Sequence, residues 1–459
     1  MKVGNISRIL LAAPSSGSGK TTVVMAVTGA FRRKGLGVRA FKIGPDYIDP
    51  MFHRAVTGVE AHNLDLFLCG GHGKGEDVCK EILSRHGEKA DICVLEGAMG
   101  FYDGLGLSSD FSAYDTACRL ETPVVLVVNG RGSALSTAAV LKGLAEFRRD
   151  SHVVGFIVNH IKPGVYRFYK ELWEKESGLK AYGCFPDLPD GALKSRHLGL
   201  VTADEIDDLQ HKAGILAEAA LEYIDLDGLA ALAEEAPPVS YIPKDIKAVG
   251  QATIAVARDE AFCFYYEDGL NELVRYGAKI VEFSPLHDKQ LPPCDGLYIG
   301  GGYPELYAET LSNNESMRLS IQKAVQAGLP CVGECGGYMY LAESFQHEGT
   351  ELPMVHVVPG RISMTNRLVG FGYAEMTAHE DNLLYSAAET MRAHEFHYSK
   401  STDSGSAFTV TKGGRRVAGE AVFAKGSIFA GYPHFHFSGE TKAAERFVRA
   451  CVNFRKKEK

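Results

Sequence analysis

Residues 331–341 read Cys-Val-Gly-Glu-Cys-Gly-Gly-Tyr-Met-Tyr-Leu, a thiol set among glycines after an apolar run and before a helix-capable segment. This is the pattern of a strand–turn–helix elbow, which presents a nucleophile at the end of a sheet. Gly333 and Gly337 permit the tight turn, and the Gly336 N–H can point at a developing oxyanion. A cysteine held this way attacks an acyl carbon as a thiolate and needs a histidine to take its proton. The expected pair is Cys335 with His434, from the downstream run Tyr432-Pro433-His434-Phe435-His436-Phe437. Gly301 and Gly302, in Gly300-Gly301-Gly302-Tyr303-Pro304-Glu305, are expected to share the oxyanion hole with Gly336. His394-Glu395-Phe396-His397 lacks the His-Glu-x-x-His spacing that would put two histidines on one helical face, so no zinc is expected there.

A second chemistry opens the chain. Gly17-Ser18-Gly19-Lys20-Thr21-Thr22 fits the second half of a phosphate loop, with Pro14 where the first glycine usually stands. Gly17 and Gly19 let N–H groups converge on phosphate oxygens where a helix begins. Lys20 is expected to neutralise β/γ-phosphate charge and the Thr21 hydroxyl to bind Mg²⁺, with Ser18 and Thr22 completing the loop. The stretch Lys42-Ile-Gly-Pro-Asp46-Tyr47-Ile-Asp49-Pro follows a predicted strand. Lys42 is expected at the nucleotide. Asp46 or Asp49 joins Glu96 around Mg²⁺, an oxygen-ligand cation; Asp46 is assigned to the metal, and Asp49 with Tyr47 to the substrate. Glu96 ends a strand before glycines, where an unpaired carboxylate would be costly. Asn159, at another strand end, is expected to read adenine with its amide.

These residues need a scaffold, and the apolar runs supply one. Continuous runs at 8–13, 38–42, 92–96, 124–129 and 153–159 read as parallel strands covered by helices on both faces. Their carboxyl ends carry the phosphate loop, Lys42, Glu96, Asn129 and Asn159, where ligands gather in such sheets. Pro237-Pro238 and Pro243 break the chain after a helix at 226–235. A second α/β series follows, with strands expected at 253–257, 279–283, 296–299, 331–333 and 418–423. The expected organisation is a domain at 1–235, a linker at 236–250 and a domain at 251–459.

Bulk composition agrees with two such domains. At 459 residues the chain should hold two or three domains of roughly 150 residues each. A hydrophobic share of 45% beside 23% charged residues is ordinary for globular proteins. A net charge of −8 argues against nucleic acid as a partner. No apolar run approaches the roughly 18 residues a membrane span needs. The ten cysteines contain no Cys-x-x-Cys pair, so reduced thiols in the cytoplasm are expected. The expected partners are small molecules, with a homodimer as the candidate assembly.

The phosphate loop with Lys42–Pro50, Glu96-Gly-Ala-Met-Gly-Phe-Tyr-Asp103-Gly, Gly300–Glu305, Gly333-Glu-Cys335-Gly-Gly-Tyr-Met-Tyr and His394-Glu-Phe-His397-Tyr-Ser together resemble the cobyrinic acid a,c-diamide synthase family, over nearly the whole chain. The resemblance implies an α/β protein with an N-terminal P-loop domain like that of dethiobiotin synthetase and a C-terminal class I glutamine amidotransferase domain. It implies ATP-dependent amidation of the a and c acetates of a corrinoid tetrapyrrole, with glutamine as nitrogen donor and Mg²⁺ as cofactor. Hydrogenobyrinic acid and nickel sirohydrochlorin are alternative substrates for the same chemistry. A partitioning-type ATPase switch would account for the first domain but not for the elbow. Carried over by position, the family's nucleophile falls on Cys335 and its histidine on His434. Class I amidotransferases usually place glutamate two residues after that histidine; here the residue is His436, which leaves the third member open. Met339 stands where many relatives have glutamine, which implies altered contacts in the glutamine pocket.

Overall fold

A computed structural model of the chain describes residues 2–191, 208–413 and 415–457. Two compact units emerge, Met1–Leu66 with Gly71–Pro243, and Phe67–Gly70 with Lys244–Lys459. In the first, seven parallel strands run in the order His62–Leu64, Val38–Ile43, Ile92–Glu96, Arg8–Ala12, Val124–Asn129, Val153–Asn159, Lys180–Phe185. Ile9 to Ala12, Val94, Leu95 and Val124 to Val127 are wholly buried, as helices packed on both faces require. Arg8–Ala12 lies in the middle: the chain fills the strands on one side of it first and, after Ile92–Glu96, crosses to the other side. That reversal opens a crevice at the carboxyl ends of the strands, and the phosphate loop leaves the central strand at that point.

The helix Lys20–Arg33 follows the loop without a side-chain cap. It is held instead by its apolar face, Val23 to Val27 with Ala30 and Phe31, all at 0% exposure. Each such Val, Met or Phe contributes about 1.5–3 kcal/mol relative to an exposed one. The preceding Gly19 is left-handed, at φ 80°.

The expected linker at 236–250 needs correction. Val239–Tyr241 is a strand, paired antiparallel with Lys2–Gly4, and Val239 and Tyr241 are buried. The first unit therefore runs on to Pro243, because those backbone groups and side chains are satisfied within it.

The second unit is built on a mixed sheet in the order Ala278–Phe283, Ala252–Ala257, Gly296–Ile299, Cys331–Glu334, Ile428–Gly431, Phe423–Lys425, in which only the last strand is antiparallel to its neighbour. Alternate residues feed two cores. Ile254, Val256, Tyr298 and Val332 face one, and Ala255, Leu297, Ile299 and Cys331 face the other. Of the strand expected at 418–423, only Phe423 joins this sheet, in its edge strand Phe423–Lys425. Arg415–Ala421 belongs to an antiparallel sheet with Thr390–His397, Gly370–Ala378 and Phe408–Lys412. Burial alternates strictly along Thr390–His397, the period of a sheet with unlike faces. Among the described residues no helix is long and apolar enough to cross a membrane.

Strand Cys331–Glu334 passes through Cys335 directly into the short helix Gly336–Leu341. Cys335 takes φ 47° and ψ −102°, a strained conformation for a residue with a side chain, costing about 1–3 kcal/mol. The surroundings enforce it. A Cβ on Gly337 would lie 2.0 Å from the Ile299 carbonyl oxygen and 3.0 Å from that of Gly300, so the elbow fits against the neighbouring strand end only without a side chain there. Gly337→Ala is therefore expected to lower stability by about 1–3 kcal/mol and to change the rate at which iodoacetamide alkylates Cys335. Chemical denaturation and a timed alkylation would check both; an unchanged midpoint would show that the contact is not tight.

Candidate functional site

The first unit gathers its charges where the strands end. Lys42 and Glu96 are register partners on adjacent parallel strands, and Lys42 Nζ lies 3.1 Å from Glu96 Oε1. Lys42 also donates to Asp49 and lies 3.9 Å from Asp46. The Thr21 hydroxyl donates to Glu96 Oε1 at 2.7 Å and approaches Asp49 Oδ1 at 3.3 Å. Behind them, His53 Nε2 sits 2.8 Å from Glu96 Oε2, with both side chains wholly buried.

The electrostatics follow from that enclosure. Burial would raise the Glu96 carboxyl, but Lys42 above all, then His53 and the Thr21 hydroxyl, hold it well below the usual range. Asp49 goes the other way: burial, then the charges of Asp46 and Glu96, push it well above the usual range against the pull of Lys42. Lys42 stays firmly protonated, because Asp49, Glu96 and Asp46 outweigh its burial. Lys20 is lowered by burial and by Lys42, and its ammonium rests on the Met99 carbonyl at 2.6 Å and the Ser15 carbonyl at 3.5 Å.

Three expectations change at this point. Asp46, assigned to the metal, turns Oδ1 to the N–H groups of Ile48 and Asp49 at 2.8 and 3.1 Å, so it starts the helix Ile48–Thr57. Asp49, assigned to substrate, is the carboxylate that turns inward to Lys42 and Thr21. Only Tyr47, half-buried just before that helix, is left of the substrate pair. Asn159, expected to read adenine, donates its amide nitrogen to the Ser18 carbonyl at 3.0 Å. A Cβ on Gly19 would lie 2.1 Å from that nitrogen, so Asn159 braces the phosphate loop and dictates its glycine. Ser18 closes the loop by donating to the Ser15 carbonyl at 2.9 Å. Gly17, at φ 78°, has no heavy atom near its missing Cβ, and Thr22 lies on the first helical turn. His53 was not foreseen, although it lies four residues after Asp49 and so shares its helix face.

Thr21, Asp49 and Glu96 thus bring oxygen donors together around an anion that stays ionised. A hard divalent cation such as Mg²⁺ suits this donor set.

The second unit assembles its centre from three strand ends. Cys335 donates its N–H to the Gly431 carbonyl at 2.7 Å, which ties the elbow to the strand that leads to His434. His434 exchanges two backbone hydrogen bonds with His394, at 2.8 and 2.9 Å. The glycine loop closes the third side. A Cβ on Gly336 would lie 3.2 Å from the Gly302 nitrogen, and one on Gly301 would lie 2.5 Å from His434 Cε1 and 3.4 Å from Nε2. Gly301, Gly302, Gly336 and the imidazole therefore face one small space. Gly300 is anchored below by donating to the Tyr265 hydroxyl at 2.8 Å.

Cys335 is 8% exposed and His434 3%. Burial, with Glu305 adding to it, pushes the Cys335 thiol up, while burial lowers His434 to about 4. At neutral pH the pair therefore rests as thiol and neutral imidazole. Around Met339, the Ser399 hydroxyl lies 3.6 Å from the sulfur and 3.1 Å from the Tyr432 hydroxyl, and His397 stacks on Tyr432 at 3.8 Å. One acidic residue here was not foreseen. Glu334, the last residue of the nucleophile's strand, places Oε2 3.4 Å from His434 Nδ1. A glutamate beside the nucleophile, with none after the histidine, was the available signal.

Comparison with known proteins agrees with both halves. Residues 9–195 match the CobQ/CobB/MinD/ParA nucleotide binding domain, and residues 253–442 match the CobB/CobQ-like glutamine amidotransferase domain. The cobyrinate a,c-diamide synthase of Listeria monocytogenes serotype 4b is 38% identical over 94% of this chain and 96% of its own length. That of Priestia megaterium is 37% identical over 97% of each, and that of Fusobacterium nucleatum 39% identical over 95% of this chain and 98% of its own. Matched over 94–97% of its length by these relatives, this chain belongs to the cobyrinate a,c-diamide synthase family.

Proposed function

We propose that this chain amidates the a and c acetate carboxylates of cobyrinate, using ATP to activate each acid and glutamine to supply the nitrogen. The observation that carries this reading is the presence, in one chain of this family, of a phosphate loop whose Thr21 meets Glu96 and a cysteine elbow tied to the strand that leads to His434. Neither centre alone makes an amide from an acid. The first unit is read as the synthetase domain and the second as the amidotransferase domain.

A carboxylate does not accept ammonia at neutral pH, so it must first become an acyl phosphate. Lys20 lies within the phosphate loop and offsets charge on the phosphoryl group as it moves. Lys42 is placed to hold the carboxylates and phosphate oxygens in one geometry. Mg²⁺, when held by Thr21, Glu96 and Asp49, would supply charge neutralisation at the nucleotide. Tyr47 stands at the edge of this cluster as a substrate contact.

In the second unit the Cys335 sulfur bonds to the amide carbon of glutamine, and its proton passes to the neutral His434. The carbonyl electron pair moves to oxygen, facing the N–H groups of Gly301, Gly302 and Gly336. Collapse re-forms the carbonyl, and nitrogen leaves as ammonia with the proton from His434. Water then cleaves the thioester to glutamate, while ammonia displaces phosphate from the activated acid.

Separate centres give separable losses. Cys335→Ala is expected to abolish glutamine-dependent amidation while leaving the rate with added ammonium salts within about threefold. Equal loss of both would count against separate sites. Lys20→Ala is expected to remove both activities by roughly a thousandfold, and a variant that kept either would remove the phosphate-loop assignment. Product masses after incubation with cobyrinate, hydrogenobyrinate or nickel sirohydrochlorin would test the ring: one or two acid-to-amide changes are expected on cobyrinate, and their absence would overturn it.

A further inference from the structure

The amidotransferase centre has an imidazole whose acidic partner is missing from its usual place, since His436 follows His434 by two. Burial makes that matter. An imidazole at 3% exposure must carry a proton during attack, and the imidazolium so formed has little water to stabilise it. Two carboxylates come near it. Glu395, on the strand beside the His434 backbone, is paired with Lys412 at 2.5 Å and acts on the imidazole through its charge. Glu334 is placed differently. It reaches His434 from the nucleophile's own strand, with Oε2 3.4 Å from Nδ1, and its other oxygen accepts from the Tyr298 hydroxyl at 2.9 Å. Glu334 is 1% exposed. The neighbouring Cε1–Nε2 edge of the ring faces Gly301 of the glycine loop.

The geometry points to Glu334 as the residue that orients His434 and selects its tautomer, standing in for the glutamate absent after the histidine. As a carboxylate it accepts a hydrogen bond from Nδ1–H, which leaves Nε2 unprotonated on the side of the glycine loop. When the thiol proton arrives on Nε2, the ion pair Glu334⁻···His434⁺ holds the charge, and that same Nε2 proton later leaves with ammonia. Glu334 is a positioning residue, not one that meets substrate. The 3.4 Å separation suits a contact that tightens once the imidazole is charged. Tyr298 fixes the carboxylate so that it cannot turn away.

The pH dependence has a definite sign. Burial pushes the Glu334 carboxyl up to about 8. When protonated it donates to Nδ1, which forces the hydrogen onto Nε2 and removes the base. Glutamine hydrolysis should therefore fall as pH drops through that region and rise to a plateau above it. His434, lowered to about 4, does not titrate there, and Cys335 is displaced upward. The phenols of Tyr298, Tyr265 and Tyr385 also face Glu334, and all are raised by burial. Glu395 with Lys412, Glu305 and His397 face His434 and Cys335. Of these, Glu305 is raised to about 7, so the variants must separate its limb from that of Glu334.

The test measures glutamine hydrolysis by the full chain between pH 5 and pH 9.5, which are assay conditions of about that span. Glu334→Gln presents an amide that donates to Nδ1 and locks the inactive tautomer. It is expected to lower kcat on the order of a hundredfold to ten-thousandfold, with KM for glutamine within about threefold and the acid limb abolished. Glu334→Asp, which keeps the charge on a shorter arm, is expected to recover at least about tenfold over the amide and to keep an acid limb. Glu395→Gln is the comparison, expected within about threefold of the unchanged chain. The assignment is overturned if Glu334→Gln keeps its kcat or its acid limb, or if Glu395→Gln carries the larger loss. It is also overturned if both Glu334 variants lose ammonium-supported amidation, since the carboxylate would then serve folding. The inference rests on the amidotransferase reading of this unit alone: failure of the unchanged chain to amidate cobyrinate with ammonium would sink the proposed substrate, while hydrolysis would still report on Glu334.

Discussion

Lys42 and Glu96 meet across adjacent parallel strands, 3.1 Å apart and sealed from water, and the first centre is organised by the need to satisfy that pair. Breaking such a pair by removing one partner costs about 3–5 kcal/mol, because the other charge is left buried. The pair therefore recruits what surrounds it. Thr21 turns its hydroxyl to Glu96, Asp49 turns to Lys42, and His53 closes the far side. The outcome is a group of oxygens that includes one persistent anion, next to a loop of N–H donors. A nucleotide meets a site already ordered, which is the condition under which electrostatic stabilisation of phosphoryl transfer is effective.

The amidotransferase centre answers a different constraint, the geometry of backbone. Cys335 is held in a strained conformation by contacts too close for a side chain at 337. The same closeness brings the glycine loop beneath the elbow, and the Cys335 N–H bond to Gly431 fixes the strand that carries His434. Cys335, the glycine loop and His434 are thus placed by adjacent strand ends of one sheet. Both centres lie at carboxyl ends of parallel strands, where open α/β sheets leave room for ligands. Their chemistries differ in where charge rests. One keeps ions paired in the resting state; the other stays neutral until a proton moves.

Much of this was legible in the residues. Runs such as Ile92–Glu96, Val124–Asn129, Val153–Asn159 and Gly296–Ile299 are strands with those limits, since continuous apolar runs bounded by turns have few other homes. The region 344–364 was not legible, because its strands Ser344–His347, Thr350–Pro353 and Arg361–Met364 are only four residues each and carry no clear alternation. The strand Val239–Tyr241 hid beside two prolines, whose usual meaning is a break. Asp46 and Asp49 were told apart wrongly: both lie near the start of one helix, and the carboxylate that turns inward is the one that does not receive the helix's free N–H groups.

What the sequence determined by itself is the chemistry available: a thiol on an elbow, a lysine in a phosphate loop, carboxylates at strand ends, and the order of two α/β units. These follow from local backbone preference and from which side chains can carry a reaction. Only the tertiary structure decided the pairings, that Glu334 faces His434, that Asn159 braces the phosphate loop and that His53 backs Glu96. Such contacts join residues from different strands and helices, and the direction of a buried polar side chain is set by its partner across space, which no local pattern encodes.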